Sequence, residues 1–513
     1  MTGHFDLLHE EWIPCAYGDG LQRRGVVGAL RDASTIEGVC GKSPLDTFSI
    51  YRFLIAVTAW SVRQGDGPRM AARGAKTPAY TGGELAEAVA KSFFGGMPLL
   101  GREERFLQQA DAGREATRPV SDLYAELPGG TEINHFRHTR DDAVALCPAC
   151  AAIGLLRLPA FCQSRLAGSG VTAPASINGT PPVYFLPLGR TLLETLLINL
   201  PQDSRPDDPP SWEGAGMGRK IGVAEGFTWQ PRETRLATGP DQEGRCAVCG
   251  AAASEARPLI RRTVFGVGRR RTAETTREWR DPHVAYLEAR KKKPGQPELV
   301  ALHGPDPIKR STLAAANWRR CAKAIIDSLA PGKKAPPVGA VEAAVGRLPA
   351  DAALRILCVE PHTREAKSYD YRAHVWCIPG RARSDLSFAV HLSAELDWFD
   401  GALGKFRAWA IKGALGKNSN RKGLNVAATF DTLVPVIERG VRDCFARLLG
   451  RYDATSSVEP QRERWRAEVR RVVAGVSEPA LSRAGPGFLQ RVETVQRLRV
   501  AVEQRFFSGG DGK

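Results

Sequence analysis

Two Cys-x-x-Cys pairs constrain this chain more than any other feature of its sequence. The first pair is Cys147 with Cys150, the second is Cys246 with Cys249, and residues 151–245 lie between them. Two such pairs can supply the four thiolates of a tetrahedral zinc site, which leaves no coordination position open for a substrate. We therefore predict a structural Zn²⁺ ion that holds two distant segments together and activates nothing.

Two other uses of these cysteines stay open. One is a redox-active pair, which is typical of a helix start beside a βαβ unit, and the other is two unrelated pairs of thiols. Small residues follow each pair, Ala151 after the first and Gly250 after the second, as in zinc knuckles, and this favours zinc. The wide spacing between the pairs leaves the choice to the three-dimensional structure.

The composition indicates a globular protein of two to four domains, since 43% of 513 residues are hydrophobic. The seven other cysteines are scattered singly and odd in number, which argues against a secreted disulfide framework and fits a reducing cytoplasm. The N-terminus has no secretion signal, and no apolar stretch approaches the ~20 residues of a membrane span. We expect a cytoplasmic protein that is neither exported nor embedded in a membrane.

The net charge favours a polyanionic partner, and nucleic acid is the first candidate. Lys and Arg number 72 against 56 Asp and Glu, a formal charge of +16. Neutralising phosphates with such cations releases counterions and supplies affinity that does not depend on sequence. A high-GC genome also enriches a chain in Ala, Gly and Arg, so the charge is supporting evidence only.

Two irregular segments have compositions suited to nucleic acid. Residues 132–140 hold Phe136 among two histidines and two arginines, a mixture that can stack on bases while its cations contact phosphate. Residues 162–181 are rich in small side chains, and the run 168–170 (Gly-Ser-Gly) would let a backbone enter a narrow groove. Each has a simpler interpretation, a solvated surface loop for the first and a merely flexible loop for the second.

The periodicity predicts an α+β fold in two parts. A broad apolar face predicts a helix over 43–62, and two strands, 354–359 and 369–377, are expected on either side of a charged connection. From about residue 384 four apolar stripes recur at helical spacing, which predicts a four-helix bundle. We place a large mixed domain with the zinc site at residues 1–380 and the bundle at 381–513.

Two further function classes compete with DNA recognition. One is a zinc-dependent enzyme that modifies nucleic acid; a deaminase needs Pro before the first Cys-x-x-Cys, where this chain has Leu146, and His9-Glu10 begins no His-Glu-x-x-His because residue 13 is Ile. The other is a zinc-stabilised scaffold that binds only protein. Cross-linking of the basic loops to duplex DNA would separate the scaffold from a DNA-binding protein.

Short segments in order along nearly the whole chain together resemble the CasA family, the large subunit of Cascade, the type I-E CRISPR surveillance complex. No single segment is diagnostic, but their occurrence together in this order is specific to the family. The chain also ends in a predicted helical bundle, as the family does. The segments are Phe5–Leu8 with Glu11–Pro14, Arg105–Gln108, Leu146–Cys150, Asn178–Val183, Gly226–Pro231 and Cys246–Gly250.

The resemblance implies a non-catalytic role. The family reads the short motif flanking a double-stranded DNA target, largely from the minor groove, promotes strand separation, and positions the helicase-nuclease. The implied partners are the guide RNA, the target DNA, the other Cascade subunits and the helicase-nuclease. In RNA-guided systems, base pairing with the guide reads the long target sequence and the protein reads only the short flanking motif. The role implied for this family agrees with that division of labour.

The resemblance also assigns roles to residues. It implies contact with the guide RNA and the complex for the first loop, minor-groove contact for the glycine loop, and a wedge beneath the flanking motif for the charged turn. The minor groove is only ~6 Å wide, so a backbone without side chains suits it. The residues are, in that order, Asn134, His135, Phe136, Arg137 and His138; Gly168, Ser169 and Gly170; and Arg364 to Lys367.

The sequence departs from the family at two places. The family wedge carries a glutamine at its tip, and no Gln occurs between Leu354 and Gly380. Either the wedge aligns elsewhere, or Arg364 and Lys367 separate the strands electrostatically. The minor-groove lysine of the family has no unambiguous match, and the candidates for it are Arg262, Arg269, Arg270 and Arg271.

Overall fold

The structure is a computed structural model, and its description leaves gaps along the chain. It covers the backbone alone for residues 116, 165–166, 172–173, 213, 238, 265, 288, 317, 362–364, 367–370, 386, 404–415, 423–433, 435 and 477–482. The described residues are 5–64, 78–100, 106–108, 116–124, 126–127, 144–162, 165–166, 172–173, 176–201, 208–213, 221–238, 243–254, 257–265, 279–288, 299–304, 317–329, 337–364, 367–415, 423–451 and 457–482.

The described residues combine helices and strands throughout, which confirms the α+β prediction. The helices are α1 (Val26–Arg31), α2 (Pro44–Gln64), α3 (Gly82–Ser92), α4 (Pro148–Phe161), α5 (Leu192–Asn199), α6 (Val223–Phe227), α7 (Asn317–Leu329), α8 (Gly339–Arg347), α9 (Gly380–Ser384), α10 (Leu386–Leu415), α11 (Gly423–Gly450) and α12 (Val458–Ser482).

The strands form small sheets, and every strand pairing that the described residues make is antiparallel. The sheet orders are β1-β5, β3-β2-β4, β10-β11-β6, β7-β8, β12-β13 and β15-β14-β9. The strands are β1 (Phe5–Asp6), β2 (Ile13–Tyr17), β3 (Gly20–Arg24), β4 (Gly38–Val39), β5 (Pro98–Leu100), β6 (Ala116–Pro119), β7 (Arg165–Leu166), β8 (Thr172–Ala173), β9 (Tyr184–Leu188), β10 (Thr234–Thr238), β11 (Ile260–Phe265), β12 (Tyr286–Glu288), β13 (Leu299–Ala301), β14 (Leu354–Arg364) and β15 (Lys367–Ile378).

Helix α2 is the centre of the N-terminal core. Its residues from Leu45 to Val62 are buried on almost every side, because α3, α4 and α6 all pack against it. A helix that is apolar around its whole circumference belongs inside a protein rather than on its surface. The predicted helix over 43–62 is confirmed, and Pro44 occupies its first turn, where the missing N–H costs no hydrogen bond.

Strand β14 divides the interior into two hydrophobic cores. Leu357 and Val359 face the core around α2, while the alternate residues Ile356 and Cys358 face a second core with α7 and the C-terminal helices. Successive side chains of a strand point to opposite faces, so a strand buried on both faces is apolar at every position. The run Leu354 to Val359 has this pattern, except for Arg355.

The hairpin of β14 and β15 is longer than predicted. We expected the connection to run from about Glu360 to Ser368, but pairing continues through Glu360 with Arg372 to Arg364 with Lys367. That expectation was wrong because cross-strand pairing overrides the weak strand propensity of the charged residues. Pro361 lies where the pairing of β14 with β9 has ended, at Val359, so one side of the strand is an edge there, as is usual for a proline in a sheet.

Three long helices follow the hairpin, and the members of their predicted apolar stripes whose side chains the structure describes are buried or half-buried. Phe399 on α10, Ile437 on α11 and Trp465 on α12 are each no more than 2% exposed. The fourth stripe, residues 488–506, lies outside the described residues, so the four-helix bundle stays a prediction. The boundary at residue 380 also stays a prediction, although the second core includes β14, β15 and these helices together.

Buried polar contacts fasten α7 to the C-terminal helices. Trp318 Nε1 donates to Glu438 Oε2 over 2.5 Å, and Arg319 pairs with Glu438 Oε1 over 2.8 Å. Arg319 also pairs with Asp400 on α10. Burial raises the pKa of Glu438 to about 7, and Arg319 opposes that rise. One arginine therefore connects α7 to both α10 and α11.

Adjacent residues on α11 test this packing. Ile437 is fully buried and Val436 is 51% exposed, so Ile437→Ala should lower the free energy of unfolding by about 2–5 kcal/mol through lost burial and a residual cavity. Val436→Ala, the matched control, should change it by less than about 0.5 kcal/mol. Urea unfolding of both variants measures the difference, and equal effects would contradict the helix orientation described here.

Candidate metal centre and nucleic-acid loops

The first cysteine pair lies at the start of α4. Cys147 is the residue before the helix, Pro148 opens it, and Cys150 lies in its first turn, so both thiols project from one helix end. A redox pair would also be found at a helix start, so this position alone does not separate the two uses. The partners of these thiols decide the matter.

The second pair lies on a tight turn that brings its own two thiols together. The Gly250 N–H donates to the Cys246 carbonyl oxygen over 2.9 Å, and the Cys246 N–H donates to the Ala251 carbonyl oxygen over 2.8 Å. Gly250 has φ +75°, a left-handed conformation that glycine adopts without strain. The small residue after this pair is therefore required by the turn.

The four thiols form one cluster. Their sulfur atoms all lie within 4.8 Å of one another, and Cys147 Sγ is 3.6 Å from Cys249 Sγ. Tetrahedral zinc with Zn–S bonds of about 2.3 Å places its sulfur ligands about 3.8 Å apart. The structure thus excludes two unrelated thiol pairs, and the donor set fits a metal ion bound by Cys147, Cys150, Cys246 and Cys249.

Hydrogen bonds among the four thiols shift their pKa values in opposite directions. Hydrogen bonding with Cys147 lowers the pKa of Cys246 and of Cys249. Hydrogen bonding with the same thiol raises the pKa of Cys150. Since zinc binds thiolates, its binding would release the protons that remain.

Backbone hydrogen bonds connect the first Cys-x-x-Cys segment to β11 and the second Cys-x-x-Cys segment to the residues just before the first. Leu146 and Ile260 exchange N–H to carbonyl bonds of 2.8 and 2.9 Å, so the residue before the first knuckle pairs with β11. The Ala247 N–H donates to the Ala145 carbonyl oxygen over 2.8 Å. A metal in the cluster would therefore hold α4, the 246–250 turn and β11 together.

The segment that enters the predicted guide-RNA loop is fastened to α4 as well. The Tyr124 hydroxyl donates to the Cys150 carbonyl oxygen over 2.6 Å. Arg157 of α4 holds both oxygens of Glu126, over 2.7 and 3.0 Å, and its Nε donates to Asp46 of α2 over 2.7 Å. The chain is thus tied down just before residue 128 and again at residues 144–147.

Several predicted site residues lie outside the described residues. They include the whole guide-contact set, Asn134, His135, Phe136, Arg137 and His138, the glycine loop, Gly168, Ser169 and Gly170, and three of the basic candidates, Arg269, Arg270 and Arg271. What the structure describes are the elements that flank them. Strands β7 and β8 pair on either side of the glycine loop, Arg165 with Ala173 and Leu166 with Thr172.

The remaining candidates lie on two different sheets. Arg262 is exposed on β11, close to the metal cluster in sequence and in the sheet. Arg364 and Lys367 face each other as the last paired residues of the β14–β15 hairpin, where only the backbone is described. The two proposed wedge residues therefore lie at the tip of one hairpin, whereas Arg262 lies on a different sheet, β10-β11-β6.

Sequence analysis missed two buried arginines that organise this region. Arg157 is 4% exposed on α4, and Arg52 is 2% exposed on α2, where it pairs with Asp281. Buried arginines are rare unless they are paired. The available signal was a single arginine inside an otherwise apolar helical run, which predicts an internal ion pair but does not identify its acidic partner.

Residues 6–476 match the protein family described as CRISPR-associated protein Cse1. This match covers most of the chain. The chain belongs to the Cse1 family. The resemblance to CasA is thereby confirmed, since a curated relative from Thermus thermophilus is named CRISPR-associated protein CasA/Cse1. That relative is 32% identical over 257 residues, which are 45% of this chain and 49% of the relative, so the alignment spans about half of its length.

Solved structures share the fold across nearly the whole chain. Thermus thermophilus CasA (Cse1) has a TM-score of 0.72 at 20% identity, covering 98% of this chain and 99% of that one. A chain from a structure titled CRISPR RNA-guided surveillance complex has a TM-score of 0.68 at 17% identity, with the same coverage. These likenesses show that the Cse1 fold is preserved at low sequence identity.

The search for membrane spans gives a negative result for the part of the chain that the structure describes. None of its helices is both long enough and apolar enough to cross a bilayer.

A cysteine substitution tests the metal centre. Cys246→Ser should lose bound zinc and lower the thermal stability of the protein together, because the ligand set is broken and its folding contribution is lost. Zinc content by mass spectrometry and the unfolding temperature measure the two effects. The matched control is Cys377→Ser, an exposed cysteine outside the cluster, which should alter neither. Retention of stoichiometric zinc by Cys246→Ser would refute the ligand set.

Proposed function

We propose that this protein is the non-catalytic large subunit of a type I-E Cascade complex in the cytoplasm. In that role it reads the motif that flanks a double-stranded DNA target, promotes strand separation and positions the helicase-nuclease. Its partners would be the guide RNA, the target DNA, the other Cascade subunits and the helicase-nuclease. Membership of the Cse1 family and the likeness to a chain of an RNA-guided surveillance complex support this proposal.

The observation that carries the proposal is the position of α4. The residues proposed to contact the guide RNA, 134–138, precede by nine residues the cysteine pair that opens this helix, and the glycine loop follows within ten residues of its other end. At 1.5 Å per residue, the 14 residues of α4 span about 21 Å. One helix would thus set the distance between the guide-contacting loop and the DNA-reading loop.

Zinc has a structural part in this proposal. Bound by Cys147, Cys150, Cys246 and Cys249, the ion would neutralise the thiolates and hold the start of α4 on the 246–250 turn. Four sulfur ligands leave no position for a reacting water, so this centre offers no support for the zinc-enzyme alternative. The absence of catalysis itself stays a prediction.

The two DNA-contacting elements differ in chemistry. Gly168, Ser169 and Gly170 would approach the minor groove with backbone alone, since its width of ~6 Å admits little else. Arg364 and Lys367 would bring two positive charges to the tip of the β14–β15 hairpin, beside the bases that open first. Shape would therefore select the motif, and charge would stabilise the opened strands.

The glycine loop gives the sharpest test of this function. Gly170→Asp should weaken binding to duplex target DNA by about a hundredfold or more, because the added carboxylate meets phosphates in a groove too narrow for it. The assembled complex is used, and native mass spectrometry should find the same guide RNA and four other protein subunits as in the wild type. Gly95→Asp is the control, since a side chain there meets no atom within 4 Å.

Unchanged duplex binding by the assembled Gly170→Asp complex would rule out the role of this loop. Recovery of the protein without guide RNA or other subunits would instead favour the scaffold alternative and refute the Cascade assignment.

The hairpin tip is tested by charge removal. Arg364→Ala with Lys367→Ala should reduce opening of duplex targets several-fold, because the cations that would stabilise separated strands are gone. Permanganate footprinting of unpaired thymines measures the opening. The control replaces Lys42 and Arg190, a lysine and an arginine on other elements, with alanine. Equal opening by the hairpin variant and the control would remove the wedge role.

A further inference from the structure

A buried ion pair joins α2 to the segment that precedes β12. Arg52 of α2 donates through one guanidinium nitrogen to both oxygens of Asp281, over 2.8 and 3.0 Å, and the two side chains are 2% and 0% exposed. The Arg52 guanidinium also lies 3.9 Å from the ring centre of Phe227. Pairing and ring contact together compensate for taking the charges out of water.

Asn178 adds the turn at residues 176–179 to this pair. Its side-chain nitrogen donates to Asp281 Oδ2 over 2.8 Å, and its side-chain oxygen accepts from Trp279 Nε1 over 2.9 Å. The same nitrogen lies 3.2 Å from the Tyr184 hydroxyl. One amide therefore uses both its donor and its acceptor on residues that are about a hundred positions away in the chain.

The turn that carries Asn178 closes the base of the glycine-loop segment. The Ser176 N–H donates to the carbonyl oxygen of Cys162, which directly follows α4, over 2.8 Å. Ser176 and Gly179 are joined by two further bonds of 2.8 and 3.0 Å, and Gly179 has φ +74°. Cys162 and Ser176, the described residues on either side of the segment 163–175 with β7, β8 and the glycine loop, are thus hydrogen-bonded to each other.

The partner Trp279 packs against Gly226. A side-chain carbon on Gly226 would lie only 2.0 Å from the indole ring, so the glycine is required for the ring to pack there. Trp279 is 5% exposed. Two of the groups that Asn178 contacts are thus also held by other residues, Trp279 by packing against Gly226 and Asp281 by its ion pair with Arg52.

We propose that Asn178 is a positioning residue that fixes the base of the glycine-loop segment on the Arg52–Asp281 pair. This inference rests on the proposed function, since it assigns to Asn178 the placement of a loop that reads DNA. Asparagine is specified because Asp281 needs a donor and Trp279 needs an acceptor. An aspartate at 178 keeps the acceptor but sets a second carboxylate against Asp281.

The test measures Asn178→Asp in the assembled complex. This variant should bind duplex target DNA about tenfold more weakly or worse, because its carboxylate is set against that of Asp281. Single-stranded complementary DNA, which pairs with the guide and needs no flanking motif, should bind this variant as it binds the wild type.

Thr81→Ala controls for general destabilisation, because it removes a helix cap on α3 that is separate from this network. Normal duplex binding by Asn178→Asp would overturn the inference, and so would equal losses on single-stranded and duplex DNA.

Gly170→Asp is measured in parallel. If Gly170→Asp weakens duplex binding and Asn178→Asp does not, the anchor is wrong and the proposed function stands. If neither weakens it, the DNA-reading role of the loop fails first and the anchor with it.

Discussion

Four thiols within 4.8 Å of one another can hold a metal cation among them. Neighbouring thiolates repel, and buried neutral thiols are weak hydrogen-bond donors that gain little from each other. A zinc ion would remove both problems and would tie the start of α4 to the turn at 246–250. The bridge between Leu146 and Ile260 and the bond from Tyr124 to Cys150 surround that point, so the elements on both sides of the 128–143 segment depend on it.

The two buried arginines also hold together segments that are far apart in the sequence. Arg52 and Arg157 lie on the central helices α2 and α4, and each holds an acidic residue from a distant part of the chain. Removing one partner of such a pair typically costs about 3–5 kcal/mol, because a charge is left buried and alone. A purely apolar core would allow these segments to slide past one another. The ion pairs therefore favour one arrangement of the segments.

Much of the framework could be predicted from local patterns, and the errors have physical causes. The helix at 43–62 was predictable from its broad apolar face, the strand at 354–359 from a nearly continuous apolar run, and the strand at 369–377 from alternating residues. The charged ends of the hairpin were not, since Glu360 and Arg372 join it through pairing with each other. The spacing within each cysteine pair made the four cysteines candidate ligands, whereas Arg157, Asp281 and Asn178 carry no local pattern that indicates their partners.

The sequence by itself determined the ligand chemistry, the basic character and the family, because residue types and short spacings are local properties. Only the tertiary structure decided that the two cysteine pairs meet and that Asn178 reaches Asp281. Those contacts join residues about a hundred positions apart, and their formation depends on the packing of α2, α4 and the small sheets around them. No local pattern contains that information, since a side chain's partner is selected by the folded chain as a whole.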